Sequence, residues 1–540
     1  MKLTSFIRNN YIYLSPFLVS FYAVLFLFVQ NQHEYRTSVL LVPLVVSFVF
    51  SSIVFGIAIA AFRRLAPAAL LSSAVIFVAL SYGRFIEILK DTPLKIKRFE
   101  VSPEVLVVSL VVAFLAVVLF VSVKYRKRMK KAAQMVTLLF LLLLGIQLFQ
   151  IVSFELQSGR VERKATPVQK IKTNTAVSTK GLPDIYYFIF DRYAGPTSTT
   201  EQYGFDNSAF YKHLEDKGFY VAKNSRTNYP KTFLSLGSSL NMEYLDFVTK
   251  QTNGGASKDE SIVTPYIENS KVLKFLKDKG YSFVHMGSWW QQTKKNKNAD
   301  YSYFPTFKEY GGADEFTTGF YNTTIASELL KLILRNPEDV SKDPANNSHR
   351  QAALYQFKAF EEIPSIKGPK FVFVHVLLPH DPFVFDKNCN PISEKVVKQN
   401  SHQVNYINQL QCVNTHIKQM IDQVLKESKT PPIIVLQSDE GPFPMKVSIP
   451  EKQGWGSAKT ASLREKFPIL NAYYFPETED TAVENRVNAT PYDTITPVNS
   501  FRILFNKYFK TNMELLEDKS YVFKDQENFY NFTDVTEKVK

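Results

Sequence analysis

Hydrophobic positions divide the chain into two unlike parts. Over about the first 155 residues, Leu, Val, Phe, Ala and Ile form long continuous runs, whereas later apolar runs are short and alternate with polar segments. A helix needs about 20 apolar residues to cross the hydrocarbon core of a bilayer. The pattern therefore predicts five membrane-spanning helices: Tyr11–Val29, Val39–Phe62, Ala66–Tyr82, Val105–Val123 and Ala132–Phe154. The third stretch is short, but Arg84 at its end could snorkel to the membrane surface.

Basic residues between these stretches predict the orientation of the chain. Cytoplasmic loops carry an excess of Lys and Arg. An inward N-terminus puts ten basic residues inside and six outside, and the odd number of spans then puts everything after Phe154 outside. We therefore expect a transmembrane domain at 1–155, a Lys-, Thr- and Ser-rich linker at 156–181 and a catalytic domain at 182–540. The expected location is the plasma (inner) membrane, with the catalytic domain extracellular or periplasmic.

Composition narrows the function classes. The formal net charge of +14 does not indicate nucleic-acid binding, because basic clusters such as 124–131 border apolar runs and no nucleic-acid-binding motif occurs. The only two cysteines, Cys389 and Cys412, exclude a disulfide scaffold and a cysteine-based zinc site. They form either one disulfide, if their domain lies outside the cytoplasm, or two unpaired thiols, and the sequence does not choose between these.

Short apolar runs in the second part of the chain predict buried parallel strands. Three of them end at polar residues: 185–190 before Asp191, 370–378 before Pro379-His380-Asp381, and 433–436 before Gln437-Ser438-Asp439-Glu440. Helix–glycine–strand units at 210–221 and 271–286 are typical of a doubly wound sheet. We therefore expect an α/β fold with a mostly parallel central sheet, whose functional groups gather beyond the carboxyl ends of the strands.

Three carboxylates and one threonine are the candidate chemical groups. Taken singly, Asp191, Asp439 and Glu440 are each more often turn or cap residues than ligands. Three carboxylates at neighbouring strand ends repel one another unless a cation neutralises them, and an all-oxygen set favours Mg²⁺ or Mn²⁺ over Zn²⁺. Thr232 opens a predicted helix, where its hydroxyl lies beside free amides that can hold a phosphate or sulfate. An ordinary helix cap is the alternative for Thr232.

An ordered set of motifs then resembles a known family. The motifs are FIFDRYAG, NYPKTFLSLGSSLNMEYLD, HMGSWW, HVLLPHDPFVFD, LQSDEGPF and ILNAYYFP. Together they resemble the sulfatase-like branch of the alkaline phosphatase superfamily, in particular the membrane-anchored hydrolase/transferase proteins that include lipoteichoic acid synthase. The similarity covers about residues 183–516, and five membrane helices before an outward catalytic domain also match that synthase.

The resemblance implies a role for several residues. It implies that Asp191 is a metal ligand, that Thr232 is a metal-bound nucleophile, and that Asp439 and Glu440 complete the metal site. His380 would contact the transferred group, which would pass through a covalent phospho-threonine.

Two departures from the family pattern refine the metal prediction. Glu440 stands where the family usually has histidine, and no histidine follows His416. We therefore expect one divalent cation, Mn²⁺ or Mg²⁺, and not a two-zinc site. A formylglycine sulfatase is disfavoured, because Cys389-Asn390-Pro391 lacks the required arginine and lies far downstream of Thr232.

Other polar and aromatic residues are open to more than one interpretation. His285, Trp289 and Trp290 follow a predicted strand and could bind substrate, anchor the domain at the lipid interface, or pack. Trp455 could lie on a mobile loop over the site. His375 lies in an apolar strand and is expected to be a core histidine or one that supports a ligand.

The sequence is compatible with three functions. The first is a phospho-group transferase acting on a phospholipid or on a lipid-linked or cell-envelope glycan. The second is a phosphoester or sulfoester hydrolase using the same site. The third is an inactive homologue that serves as a scaffold in envelope assembly.

Overall fold

The computed structural model describes residues 11–89, 94–96, 99–125, 128–164, 182–252, 254–288, 290–304, 314–333, 344–445, 454–477 and 488–540. Two compact units make up the chain: residues 1–160 with 313–337, and residues 161–312 with 338–540. Trp289 and positions 165–181 of the predicted linker lie outside the described residues.

The helices and strands are numbered along the chain. The helices are α1 (Ser15–Gln30), α2 (Leu41–Phe62), α3 (Leu65–Leu89), α4 (Pro103–Lys124), α5 (Met129–Lys164), α6 (Pro196–Glu201), α7 (Ser208–Asp216), α8 (Thr232–Ser239), α9 (Asp246–Gln251), α10 (Thr264–Glu268), α11 (Lys271–Asp278), α12 (Gln291–Lys294), α13 (Glu315–Asn322), α14 (Ile325–Ile333), α15 (Pro344–Phe360), α16 (Glu394–Gln399), α17 (His402–Glu427), α18 (Thr460–Lys466), α19 (Pro497–Phe509) and α20 (Thr536–Val539). The strands are β1 (Leu94–Ile96), β2 (Phe99–Val101), β3 (Ile185–Phe190), β4 (Tyr220–Val221), β5 (Ser282–Met286), β6 (Tyr301–Tyr303), β7 (Lys370–Val376), β8 (Ile433–Gln437), β9 (Asn471–Tyr474), β10 (Tyr521–Phe523) and β11 (Phe532–Asp534).

Apolar helices dominate the first unit. Each of the five predicted stretches forms a helix, α1 to α5. Within the described residues, four helical spans are long and apolar enough to cross a membrane: Thr37–Phe62, Leu65–Leu89, Val105–Lys124 and Met129–Leu156. The helix α1 is equally apolar but has only 16 residues, fewer than a span usually needs. The predicted multi-pass helical region is therefore confirmed, with four of its five helices at full spanning length.

The first unit also contains a segment from the second part of the sequence. Phe316 of α13 packs edge-on against Phe28 of α1, with ring centroids 5.9 Å apart. The backbone N–H of Gly83 in α3 donates to the carbonyl of Thr323 at 2.9 Å. A Cβ at Gly83 would come within 2.5 Å of the Asn322 carbonyl oxygen, so this close approach requires glycine. Hence α13 and α14 belong with the membrane helices, an arrangement the sequence pattern did not predict.

A seven-stranded sheet forms the centre of the second unit, in the order β4-β9-β8-β3-β7-β5-β6. The strands β8, β3, β7, β5 and β6 are parallel, and β9 pairs antiparallel with both β8 and β4. Alternate residues of β3 enter different cores: Ile185, Tyr187 and Ile189 on one face, and Tyr186, Phe188 and Phe190 on the other. The predicted α/β fold with a mostly parallel sheet is confirmed.

The two cysteines form a disulfide. Cys389 lies in the loop after β7, and Cys412 lies in α17. Of the two alternatives left open by the sequence, the structure has the bonded pair.

Candidate metal centre

Three neighbouring strands in the middle of the sheet lead into one polar site. The strands β8, β3 and β7 are adjacent and parallel, so their carboxyl ends meet at the same edge. Asp191 directly follows β3, His375 is the last residue but one of β7, and Asp439 comes two residues after β8. The backbone N–H of Asp191 donates to the carbonyl of Val376 at 3.0 Å, which holds the chain in place as it leaves the strand.

These three side chains converge on one point. Asp191, His375 and Asp439 each offer a ligand atom, and the three atoms lie within 4.8 Å of one another. All three residues are buried, with 3% exposure or less. The Nε2 atom of His375 is 4.0 Å from a carboxylate oxygen of Asp191. Its other ring nitrogen, Nδ1, lies 2.7 Å from the Thr293 hydroxyl, a contact that orients the ring toward the carboxylates.

Several buried polar atoms at this point lack a hydrogen-bond partner among the described residues. They are Asp191 Oδ1, His375 Nε2, Asp439 Oδ2 and Glu440 Oε2. Each such atom costs about 1–3 kcal/mol when it stays unsatisfied. Carboxylate oxygens combined with an imidazole nitrogen are a usual ligand set for a divalent cation. The residues present therefore fit a divalent metal ion, with His375 as a ligand candidate that the sequence-based prediction did not include.

The electrostatics of the carboxylates support the same conclusion. Burial raises the pKa of Asp191 well above its ordinary value, and the charges of Asp439 and Glu440 raise it further. Burial and the charge of Glu440 raise the pKa of Asp439 to about 6, while the neighbouring Thr232 hydroxyl acts in the opposite direction. A cation bound between these carboxylates would remove both penalties.

Glu440 differs from the two aspartates because it is held by cations of the protein itself. Burial alone would raise its pKa, but the charges of Lys466 and Arg192 outweigh burial and lower it. The Nζ atom of buried Lys466 is 2.8 Å from Glu440 Oε1, and the Nε atom of Arg192 is 3.1 Å from the same oxygen. Arg192 also pairs with Asp381 at 2.8 Å. One oxygen of Glu440 is thus engaged, and only Oε2 remains for a metal ion.

Thr232 is positioned beside Asp439 by the loop that precedes it. The Thr227 hydroxyl donates to the backbone carbonyl of Asp439 at 2.6 Å. The buried Asn228 side chain accepts from the Val498 N–H at 2.9 Å and donates to the Lys519 carbonyl at 2.8 Å. Thr232 then begins α8, whose first backbone amides have no acceptor within the helix.

His380 lies on the same side of the sheet, in the loop after β7. Its ring is half-buried, and Nδ1 is 3.3 Å from the Asp381 carboxylate. Burial, together with the charge of Arg192, lowers the pKa of His380 to about 4. The imidazole is therefore uncharged at neutral pH.

The predicted substrate-binding residues occupy different positions. His285 lies inside β5, is 3% exposed and stacks on Phe373 at 5.5 Å between ring centroids. Trp290 is half-buried, with its ring 6.1 Å from the ring of His375. Trp289 lies outside the described residues. The structure thus brings Trp290 to the metal centre and puts His285 in the core, and substrate binding by these residues stays a prediction.

Trp455 lies beside Lys466 and Phe443. It is 4% exposed and packs edge-on against Phe443 at 5.8 Å. The ammonium of Lys466 lies 5.5 Å from its ring centroid. Trp455 therefore forms part of the wall behind the Glu440–Lys466 pair, and its predicted role over the substrate remains to be tested.

Three residues of the centre were not among the predicted site residues. His375 had a signal, because a single histidine interrupts an otherwise apolar strand one residue before its end. Arg192 also had a signal, because it directly follows Asp191 in the sequence. Lys466 gave no signal, because its pairing with Glu440 depends on where α18 packs.

Comparisons with known proteins identify one matching family model and several similar solved structures. A family model described as Sulfatase matches residues 189–479 of the 540. The C-terminal periplasmic domain of EcEptC from Escherichia coli is 13% identical, covering 68% of this chain and 97% of that chain, with a TM-score of 0.41. The integral membrane lipooligosaccharide phosphoethanolamine transferase A (EptA) from Neisseria meningitidis is 13% identical, covering 86% of this chain and 87% of that chain, with a TM-score of 0.34. BT1596, a 2-O GAG sulfatase, is 14% identical, covering 64% of this chain and 78% of that chain, with a TM-score of 0.38. No curated protein matches the chain.

Proposed function

This chain belongs to the sulfatase family, within the alkaline phosphatase superfamily, and on that premise we propose that it is a membrane-bound, metal-dependent phospho-group transferase. It acts on a phospholipid or on a lipid-linked or cell-envelope glycan, and it forms a phospho-threonine at Thr232. The observation that carries this proposal is the position of Thr232 beside a cluster of buried, unpartnered metal-ligating atoms.

The proposed reaction has two balanced halves. The Thr232 oxygen attacks phosphorus, the bond from phosphorus to the donor's alcohol oxygen breaks, and the hydroxyl proton ends on the departing alcohol. An acceptor alcohol then attacks the phospho-threonine, returns a proton to Thr232 and leaves with the phospho group. His380 lies near Arg192, and its ring is uncharged at neutral pH, so it can take up the hydroxyl proton and release it again.

In this proposal a divalent ion would be held by Asp191, His375, Asp439 and the remaining oxygen of Glu440. A bound divalent cation, Mn²⁺ or Mg²⁺, would lower the pKa of the nucleophilic hydroxyl and neutralise charge on the phosphoryl oxygens. The imidazole nitrogen of His375 adds a softer ligand to the predicted oxygen set, so Zn²⁺ is also compatible with these residues. Independently of the metal ion, the first backbone amides of α8 and the guanidinium of Arg192 would donate hydrogen bonds to phosphoryl oxygens.

The membrane unit supports a lipid or envelope substrate. We propose the limits 1–155 for the transmembrane domain, 156–181 for the linker and 182–540 for the catalytic domain, whose segment 313–337 packs with the membrane helices. The proposed location is the plasma (inner) membrane, with the catalytic domain outside. Two observations support this sidedness. The segment α13–α14 packs at the ends of α1 and α3 that the basic residues predict to be external, and the Cys389–Cys412 disulfide suits an oxidising compartment.

Replacing the nucleophile tests the proposal. Full-length Thr232→Ala in detergent or nanodiscs should lose transfer from a phospholipid donor by at least about a thousandfold. Thr232→Ser keeps a hydroxyl and should retain measurable activity with the same melting temperature. A phosphorylated peptide containing position 232 should be detected by mass spectrometry in the wild type and in Thr232→Ser. Full activity in Thr232→Ala would contradict the proposal.

Hydrolysis by the same site is the second candidate, because transfer and hydrolysis share the covalent first half. The purified protein is incubated with donor alone, and then with donor and an alcohol acceptor. Product that forms at full rate without the acceptor identifies a hydrolase. No turnover of any phosphoester or sulfoester donor, despite stoichiometric metal binding, would point to the scaffold function.

A further inference from the structure

Arg84 is a charged residue in an apolar setting that the proposed reaction does not use. It lies on α3, five residues before the last residue of the helix, which is about 8 Å along the axis. Its side chain is half-buried, its Nη2 atom donates to the Ala23 carbonyl at 3.1 Å, and its guanidinium carbon is 4.8 Å from the Phe26 ring centroid. The charged group thus sits between α1 and α3, near one end of the membrane unit.

No carboxylate forms an ion pair with Arg84 among the described residues. A guanidinium has five N–H donors, and Ala23 accepts from one of them. A helix carbonyl and an aromatic face do not neutralise the charge, and an unpaired charge next to hydrocarbon is costly. The remaining donors therefore call for an anion from outside the described protein.

Aromatic side chains next to Arg84 provide an apolar surface. The Tyr22 ring lies 5.7 Å from that of Phe26 and 5.5 Å from that of Phe140 in α5. The Phe77 ring lies 6.4 Å from that of Phe140 and 6.1 Å from that of Phe85. All five rings are half-buried, so each still has area that can contact another molecule. An arginine fork at the edge of a partly open aromatic surface is complementary to a phosphate attached to an acyl chain.

The position of Arg84 along α3 is consistent with a phospholipid ligand. Arg84 lies about 8 Å from the end of α3, and its neighbour Gly83 donates its backbone N–H to the carbonyl of Thr323 in the segment after α13. Loop charges predict this end to be the external one. Phospholipid phosphates lie at that depth, while an acyl chain extends inward along Phe77 and Phe140.

We propose that the corner formed by α1, α3 and α5 is a phospholipid-binding site in which Arg84 binds the lipid phosphate and the five aromatic rings contact an acyl chain. The site shares no residue with the metal centre and goes beyond the proposed activity. Arg84 could instead serve only to tie α3 to α1 through Ala23, and the experiment is designed to separate these two roles.

The test measures binding to full-length protein in detergent micelles by native mass spectrometry. The probes are a phosphatidylethanolamine, a diacylglycerol with the same chains, and water-soluble glycerophosphoethanolamine. The wild type should prefer the phospholipid over the diacylglycerol by at least about tenfold, and should not bind the soluble phosphate compound. Arg84→Gln should lose that preference, and Arg84→Lys should keep only part of it, because lysine retains the charge but not the fork. Arg64→Gln in the exposed turn after α2 should leave it unchanged.

Several outcomes would contradict the proposed phospholipid-binding site. Equal wild-type affinity for phospholipid and diacylglycerol would do so without any variant, even if Arg84→Gln failed to fold. Full phospholipid binding by a stable Arg84→Gln would assign Arg84 to the helix–helix contact alone. Binding of glycerophosphoethanolamine would point to a phosphate site that needs no lipid. Binding is read without turnover, so an inactive protein that still binds phospholipid would overturn the proposed enzyme function and leave this site standing.

Discussion

Individual carboxylates at the metal centre make the folded protein less stable when no cation is present. Asp191 and Asp439 are buried beside each other and beside Glu440, and the pKa values of both aspartates are raised. A raised carboxyl pKa means that the folded state binds protons more readily than the unfolded state. This contribution to stability is therefore present at low pH and is lost as the pH rises through the folded-state pKa.

Asp439→Asn should show this penalty directly. As the pH rises from about 4 to about 7, the free energy of unfolding of the metal-free wild type should fall. Asp439→Asn should recover about 1–3 kcal/mol of that free energy at neutral pH. Mn²⁺ should raise the melting temperature of the wild type but not of the variant. The full-length protein is measured by thermal unfolding with and without a chelator. Asp216→Asn, at an exposed position, should behave like the wild type.

A second residue-scale prediction concerns the cation that holds Glu440. Lys466→Met leaves a buried carboxylate with Arg192 as its only cationic partner within bonding distance among the described residues. Loss of one partner of a buried pair costs about 3–5 kcal/mol, because the other charge stays uncompensated. Glu440→Gln in the same protein should restore much of the lost melting temperature. If the double variant were as unstable as the sum of the single variants, the two residues would not be coupled.

The sequence predicts some of these site residues and not others, for physical reasons. Asp191 and Asp439 follow apolar strands, so the parallel-sheet rule alone brings them to one edge, and they lie there together. For His375 the sequence predicts a core histidine or one that supports a ligand, because a strand pattern does not show which way a side chain turns at the strand's end. Lys466 lies far from Glu440 in sequence, and only tertiary packing joins them.

Among the elements, the turn after β8 makes a strict steric demand at the site. Gly441 follows Glu440, and a Cβ at this position would lie 2.2 Å from the backbone carbonyl oxygen of Lys466. The Gly441 N–H also donates to that carbonyl at 3.0 Å. The turn and α18 can approach this closely only because position 441 has no side chain.

Gly441→Ala should therefore separate the turn from α18 and displace Glu440. We expect a loss of about 2–4 kcal/mol in stability together with weaker metal binding. Gly319→Ala in α13 is the matched control, since a Cβ there meets nothing within 4 Å. That change should be neutral or slightly stabilising, because alanine favours helix. Melting temperature and metal titration of both full-length variants check the prediction, and equal effects would rule out the steric argument.

At the level of elements, apolar runs predicted the central strands and the five N-terminal helices well. The segment 314–333 was not recognised as part of the membrane unit. Its helices are short, and their apolar residues have the spacing of any helix that packs on a soluble core. Which surface such a helix covers depends on tertiary contacts such as the one between Phe316 and Phe28.

For the whole molecule, loop charges predict an internal N-terminus and an external second unit. Both native cysteines are tied up in the disulfide, so an added cysteine gives a clean label. A membrane-impermeant maleimide should label Ser38→Cys in cells with a sealed plasma membrane. It should label Arg64→Cys only after permeabilisation. Both positions are exposed, so reversed labelling would show that the topology is the opposite of the predicted one and could not be attributed to poor access.

The discontinuity of the membrane unit has a consequence for how the protein is made. Residues 313–337 are translated after the first four strands of the second unit's sheet, β3 to β6, yet they complete the unit that begins at the N-terminus. The membrane unit is therefore finished only once the ribosome has passed residue 333, when much of the second unit has already emerged. Cutting the chain at the linker would leave the N-terminal fragment without α13 and the C-terminal fragment with Phe316 exposed. Neither fragment would contain a complete membrane unit, and a nascent chain released before residue 313 would present to quality control at the membrane the surface of α1 and α3 that this segment covers.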